Sequence, residues 1–318
     1  MKILYVYDEP GWAIQKVGEL WFDGLNGLTG IETNFCSFKN LPKIRTSRFD
    51  IIWYGYLGTF FKEIKPSQKP SFLHRIPPVK NIVALGRSVI AVHDPSELFP
   101  LSRQWQESGI GRKMRWILGN ALGVVTVCKE MEEVLLRKKI KACTISTMSS
   151  LNPRDENDIV TNKCSAYAAY NPYPRKNSPL MEKLKSFCLD TLGISFEYKL
   201  GRILLSEKEY VSQLDSHEIY LCTSLQEGGP IPAMDAMVRG AVVLSTPVGQ
   251  MPEIITNGEN GFLCSSEDDF KRYLRLLADD HNQLQRLRLA SRRKIVLLRN
   301  REEIQKNMLR FLQQLRTT

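Results

Sequence analysis

Between Leu225 and Leu263 the chain reads LQEGGPIPAMDAMVRGAVVLSTPVGQMPEIITNGENGFL, and Glu227, Asp235 and Glu253 fall within it. Carboxylates accept hydrogen bonds from vicinal hydroxyls of the kind a ribose or hexose offers. Glu227 opens a run with Gly228, Gly229 and Pro230. Glycines let a backbone approach a ligand closely. The helix expected to start after this run points free N–H groups and its dipole back at the loop, which suits a pyrophosphate. Asp235 is expected on the first turns of that helix. Arg175 and Lys176 in NPYPRKNSP stand in a turn before a helix, and His93 in VIAVHDP ends a β-rich run. Gly11 in DEPGW follows another such run. Taken singly, the acids could cap turns, the cations could be solvated and the histidine structural. The agreement of so many features over 227–263 favours a ligand.

Such loops need a scaffold. KILYVY (2–7), FDIIWYGY (49–56), SVIAVHD (88–94), GVVTVC (123–128) and ACTIST (142–147) read as buried strands. Helical spacing falls between them, so the expectation is a parallel sheet covered on both faces. The signal fades over the polar residues 148–164, within which 151–163 reads as a linker. A second series follows with SAYAAY, SFEYKL, EIYLCTS and AVVLSTP. The predicted organisation is a doubly wound α/β domain over 1–150, the linker at 151–163 and a second doubly wound domain over 164–299. A cleft is expected between the carboxyl ends of the two sheets. A helix at about 300–318 puts Ile304, Met308, Phe311, Leu312 and Leu315 on one face, suited to packing back on a domain.

Length agrees with two domains, since 318 residues exceed what one core usually absorbs. Seven cysteines are scattered without a CxxC or a His/Cys cluster, which argues against a zinc site or a disulfide framework. No Asp-x-Asp triplet is present, so neither a metal nor another cofactor is expected. No stretch approaches eighteen apolar residues and no leader is evident, which places the expected location in the cytoplasm. The net charge of +10 is concentrated in the final 48 residues, with 13 Lys/Arg against 4 Asp/Glu from Lys271 onward. That segment fits either a solvated helical face or peripheral contact with an anionic membrane. It has no interleaved aromatics or reader motif, so nucleic acid is not an expected partner.

The stretch from Glu227 to Leu263 resembles the nucleotide-sugar signature of retaining glycosyltransferases of family 4, which have the GT-B fold. That family's pattern is Glu-x7-Glu, then Gly, a strand ending in Thr/Ser, VGG-PE and G-NG-L. The resemblance implies that a nucleoside diphosphate-sugar, most commonly a UDP-sugar, is co-substrate, that its sugar passes to an unidentified acceptor (saccharide, lipid-linked or other) with retention, and that no metal takes part. It implies that Glu227 holds hydroxyls of the sugar and that Asp235 replaces the Glu that binds ribose. Gly228, Gly229 and Pro230 would lie along the phosphates, with Arg175 and Lys176 neutralising the departing diphosphate. His93 would lie near the pyrophosphate and sugar, and Gly11 stands where the family has a Gly-rich loop. Two departures stand out: Asn171 occupies the position of the family's Arg, and Asp235 is one methylene shorter than Glu. They leave room for a second reading, a scaffold that binds nucleotide-sugar or a partner without turnover.

Overall fold

The computed structural model describes residues 1–11, 13–25, 30–57, 85–101, 104–159, 163–170, 173–200, 205–298 and 301–316. Asn171 lies outside them, as does the whole stretch 58–84. The chain divides into two compact units, one of Met1–Pro100, Gln104–Thr147 and Arg301–Thr318, the other of Leu101–Arg103 and Met148–Asn300.

The first unit is built on β1 (Lys2–Tyr7), β2 (Glu32–Ser37), β3 (Ile51–Tyr54), β4 (Ser88–Val92), β5 (Gly123–Thr126) and β6 (Cys143–Thr144). Every pairing is parallel and the order is β2-β1-β3-β4-β5-β6. Ile3 to Val6 and Ile51 to Tyr54 are buried on both faces, which is why these strands read as continuous apolar runs. Helices α1 (Ala13–Phe22), α2 (Arg112–Asn120) and α3 (Lys129–Arg137) cover the sheet with Trp21, Ile117 and Val134, each of them inaccessible to solvent. A helix from the far end of the chain, Arg301–Arg316, completes this unit. It buries Ile304, Met308, Phe311 and Leu312, and Phe311 packs edge-on to Trp53 at 5.6 Å.

In the second unit β7 (Ser165–Tyr170), β8 (Ser195–Leu200), β9 (Ile219–Cys222), β10 (Val242–Ser245) and β11 (Gly261–Leu263) are also all parallel, in the order β11-β10-β9-β7-β8. Around them lie α4 (Ser178–Ser186), α5 (Glu207–Asp215), α6 (Ile231–Val238), the single turn α7 (Met251–Ile254), α8 (Glu267–Asp279) and α9 (His281–Leu298). We number the Arg301–Arg316 helix α10. Helix α6 is buried from Ala233 to Val238, in keeping with a composition that is apolar apart from Asp235. The polar segment after Thr147 packs onto this unit: Leu151 and Ile159 are buried, and the Arg154 amide donates to the Val238 carbonyl at 3.2 Å. Among the described residues no helix is long and apolar enough to cross a membrane.

Both sheets share one topological property. Strand order reverses between β1 and β3 in the first unit and between β7 and β9 in the second. Loops leaving the carboxyl ends on either side of such a reversal diverge and open a crevice, where ligands of open α/β sheets bind.

Candidate functional site at the strand-order reversal

The loops flanking the reversal in the second unit carry Arg175 and Lys176 after β7 and Glu227 after β9. The cations occupy a 3-10 turn, Pro174–Lys176, that is stitched to the other loop. The Leu225 amide donates to the Arg175 carbonyl at 2.7 Å, and the Thr223 hydroxyl donates to the Lys176 carbonyl at 3.0 Å. Their side chains converge on Glu227: Arg175 donates to Oε2 at 3.0 Å and Lys176 bonds Oε1. The Ser224 hydroxyl donates to the same Oε1 at 2.7 Å, and its own carbonyl accepts the Thr246 hydroxyl at 2.6 Å. Burial alone raises the Glu227 carboxyl, but the charges of Lys176 and Arg175 with the Lys176 and Ser224 hydrogen bonds outweigh it, so the acid titrates below its ordinary range. The cluster therefore holds two cations against one carboxylate, which leaves a positive surplus.

The surplus sits beside backbone amides suited to an anion. Among the described residues the Gly228 and Gly229 amides donate to no acceptor, and helix α6 starts directly behind them with no acidic residue in its first turn. Gly249 locks the loop from the β10 side. Its φ is +53°, a Cβ there would overlap the Gly228 carbonyl oxygen, and the neighbouring Gln250 amide donates to that oxygen at 2.8 Å. Pro230, at the helix entrance, is buried. Asp235 is on the expected helix but enclosed. It lies in the second turn of α6, carries no accessible surface and accepts the Tyr210 hydroxyl at 3.2 Å. A ribose contact by this carboxyl requires the packing that encloses it to open.

In the first unit His93 follows β4. Its ring stacks on Trp21 at 5.5 Å and 14°, and it hydrogen-bonds the Gly55 backbone. Burial pushes the imidazole down to about 4, against the Gly55 bond, so the ring is neutral at pH 7. Its Nε2 is buried and has no hydrogen-bond partner among the described residues. Gly11, exposed at φ +79°, donates its amide to Gln15 Oε1 at 2.8 Å.

Sequence reasoning missed Thr223, Ser224, Thr246 and Tyr210. Only Ser224 left a readable trace, standing three residues before Glu227 in a turn-forming run. It also missed Glu97, whose spacing from Asp94 in DPSE is that of a capping box, the motif the structure shows.

Residues 204–294 match the family described as Glycosyl transferases group 1, a span that includes Glu227 and Asp235 but neither Lys176 nor His93. The MMP alpha-(1->4)-mannosyltransferase of Mycolicibacterium hassiacum is 33% identical over 95 residues, 29% of this chain and 23% of that protein. The match thus spans about a quarter of the curated relative's length. Over the whole chain the fold is that of the GT-B proteins. Anabaena HepE, crystallised with UDP, aligns with a TM-score of 0.65 at 13% identity, covering 99% of this chain and 100% of that one. Sucrose-phosphate synthase from Thermosynechococcus elongatus aligns with a TM-score of 0.67 at 13% identity, covering 100% and 99%. S. aureus TarM, crystallised with fondaparinux, alpha-GlcNAc-glycerol and UDP, gives 0.62 at 13% identity over 86% of this chain and 57% of that one.

Proposed function

We propose that this protein is a glycosyltransferase that moves a sugar from a nucleoside diphosphate donor, a UDP-sugar, to a saccharide or other hydroxyl acceptor, with retention and without a metal. The observation that carries the reading is the Arg175–Lys176–Glu227 cluster at the strand-order reversal, beside two undonated glycine amides and a helix N-terminus. The match over 204–294 supports it.

In this reading the diphosphate lies along Gly228, Gly229 and the start of α6. Lys176 and Arg175 turn from Glu227 to the phosphates and offset the charge that grows as the sugar–phosphate bond breaks. Glu227, released, accepts a hydrogen bond from a sugar hydroxyl. The acceptor oxygen bonds the anomeric carbon on the face the phosphate leaves, and its proton passes to the departing phosphate oxygen, so no strong protein base is needed. His93, a neutral ring after β4, keeps the catalytic role that the family resemblance implies. The positive surplus does the work a divalent cation does elsewhere, so transfer should proceed unchanged in EDTA.

Thermal shift with UDP, GDP, ADP and TDP and their sugars, without metal, tests this. A ligand at a hundred times its Kd stabilises by about 2.7 kcal/mol, which is easily read. UDP and UDP-sugars should shift the transition. Glu227→Ala should keep or increase the shift with free UDP, because the carboxylate no longer competes for the cations, and should lose whatever the sugar adds. No shift with any nucleotide would sink the reading. Binding with no transfer to a panel of saccharide acceptors would leave a scaffold without turnover.

A further inference from the structure

Three amides in the first unit converge on one carboxyl group. Glu97 Oε1 accepts the His93 amide at 2.7 Å and the Asp94 amide at 2.9 Å, and Oε2 accepts the Leu57 amide at 3.2 Å. Leu57 belongs to the segment leaving β3, while His93 and Asp94 leave β4, so a single side chain ties two neighbouring strand exits together. Asp94 closes the turn from the other side by accepting the Ser96 amide at 2.8 Å. The His93 ring is held by its stack on Trp21 and by Gly55, also just past β3. A helix cap needs the Asp94 bond alone. The bonds to His93 and Leu57 instead fix the backbone that carries the imidazole and the strand exit that supplies its ring partner.

We infer that Glu97 is a positioning residue that sets the His93 ring, and that its loss lowers sugar transfer by displacing His93. The second clause rests on the transferase reading above; the first does not. The two oxygens divide the task. An amide oxygen at position 97 can still accept from both His93 and Asp94, whereas an amide nitrogen cannot accept from Leu57, so Glu97→Gln should retain the His93 clasp and Glu97→Ala should lose it.

The test pairs a spectroscopic readout with a kinetic one. The chain has four histidines, and the His93 ring protons are assigned from the NMR peak missing in His93→Gln. That peak, displaced by the Trp21 ring, should stay in place in Glu97→Gln and move toward the position of a free histidine in Glu97→Ala. Glu97→Asp, which withdraws the carboxylate by one methylene, should move it as well and serves if the alanine variant does not fold. A peak unmoved in the alanine and aspartate variants, or displaced as far in the glutamine variant, would overturn the positioning role. With a UDP-sugar as donor, Glu97→Ala should lower kcat by about ten- to a hundredfold, the range for a group misplaced by up to about 1 Å, with little change in donor KM. The double variant with His93→Gln should be no slower than His93→Gln alone. Effects that multiply would show that Glu97 acts apart from His93. A wild-type protein without transfer activity would remove the transferase reading, while the NMR outcome would still decide the positioning role.

Discussion

Gly249 stands in the left-handed region with its neighbours' backbone where a side chain would go. For a non-glycine residue that conformation costs roughly 1–2 kcal/mol, before any overlap with Gly228 is relieved. Gly249→Ala should therefore lower stability by at least that amount in urea denaturation, and the opened loop should abolish the UDP-dependent thermal shift. Glu97 and His93 give the first unit a pH signature. Burial, with Asp94 close by, pushes the Glu97 carboxyl up to about 8, against the pull of its three amides. Between about 4.5 and 8 the folded chain thus keeps a proton that the unfolded chain has lost, and stability from this group declines as pH rises through that window. His93, lowered from 6.5 to about 4, acts in the opposite sense and loses stability as pH falls below 6.5. The two oppose each other at acid pH, and above 6.5 Glu97 acts alone. The Tm of the wild type should fall from pH 6.5 to 8.5 more steeply than that of Glu97→Gln; equal slopes would refute the assignment.

Helix α9 shows how an element can depend on one ion buried against the sheet. Arg288 has no accessible surface, yet it donates to the Gly240 carbonyl at 2.9 Å and lies 4.0 Å from Glu218, whose other oxygen accepts the Ser165 hydroxyl at 2.6 Å. Removing one partner of a buried pair leaves the other uncompensated at a cost of about 3–5 kcal/mol. Arg288→Met should fall in that range by chemical denaturation, and adding Glu218→Gln should recover part of the loss. The strands that the sequence betrays are those buried on both faces, such as β1, β4, β9 and β10, where apolar runs end at glycine or proline. The edge strand β2 escaped notice because only Cys36 and Ser37 at its end are buried, so ETNFCS carries no apolar run. The cluster around Glu227 was legible where backbone demands force glycine and proline. Tyr210, on an ordinary amphipathic helix, carries no mark that its hydroxyl meets Asp235. That Asp235 would be enclosed was equally hidden, because burial of one helix face depends on what packs there.

At the scale of the whole chain, part of the charge that crowds the last 48 residues is answered by acids outside that segment. Arg292 and Arg293 meet Glu156 at 3.0 and 2.6 Å, Lys271 meets Glu267 at 2.7 Å and Arg272 meets Asp269 at 3.0 Å. The acidic stretch DEND (155–158) and the basic helix α9 are thus partners, and the composition of the segment overstates the charge it offers a surface. Helix α10 has its partners in the first unit: Gln305 donates to the Asp23 carbonyl at 2.7 Å, and Phe311 lies over Trp53 and Gly123. Deleting residues 301–318 should destabilise that unit and leave the melting of the other unchanged, which calorimetry on the full-length and shortened chains would resolve. The same helix reverses the order of assembly during synthesis. The ribosome releases residues 1–147 first, but the packing of Phe311 on Trp53 cannot form until 301–316 emerge. At about 5–20 residues per second, that delay is roughly 8–30 s. The half of the protein made first is the half finished last, and in that interval it is the natural client of a chaperone.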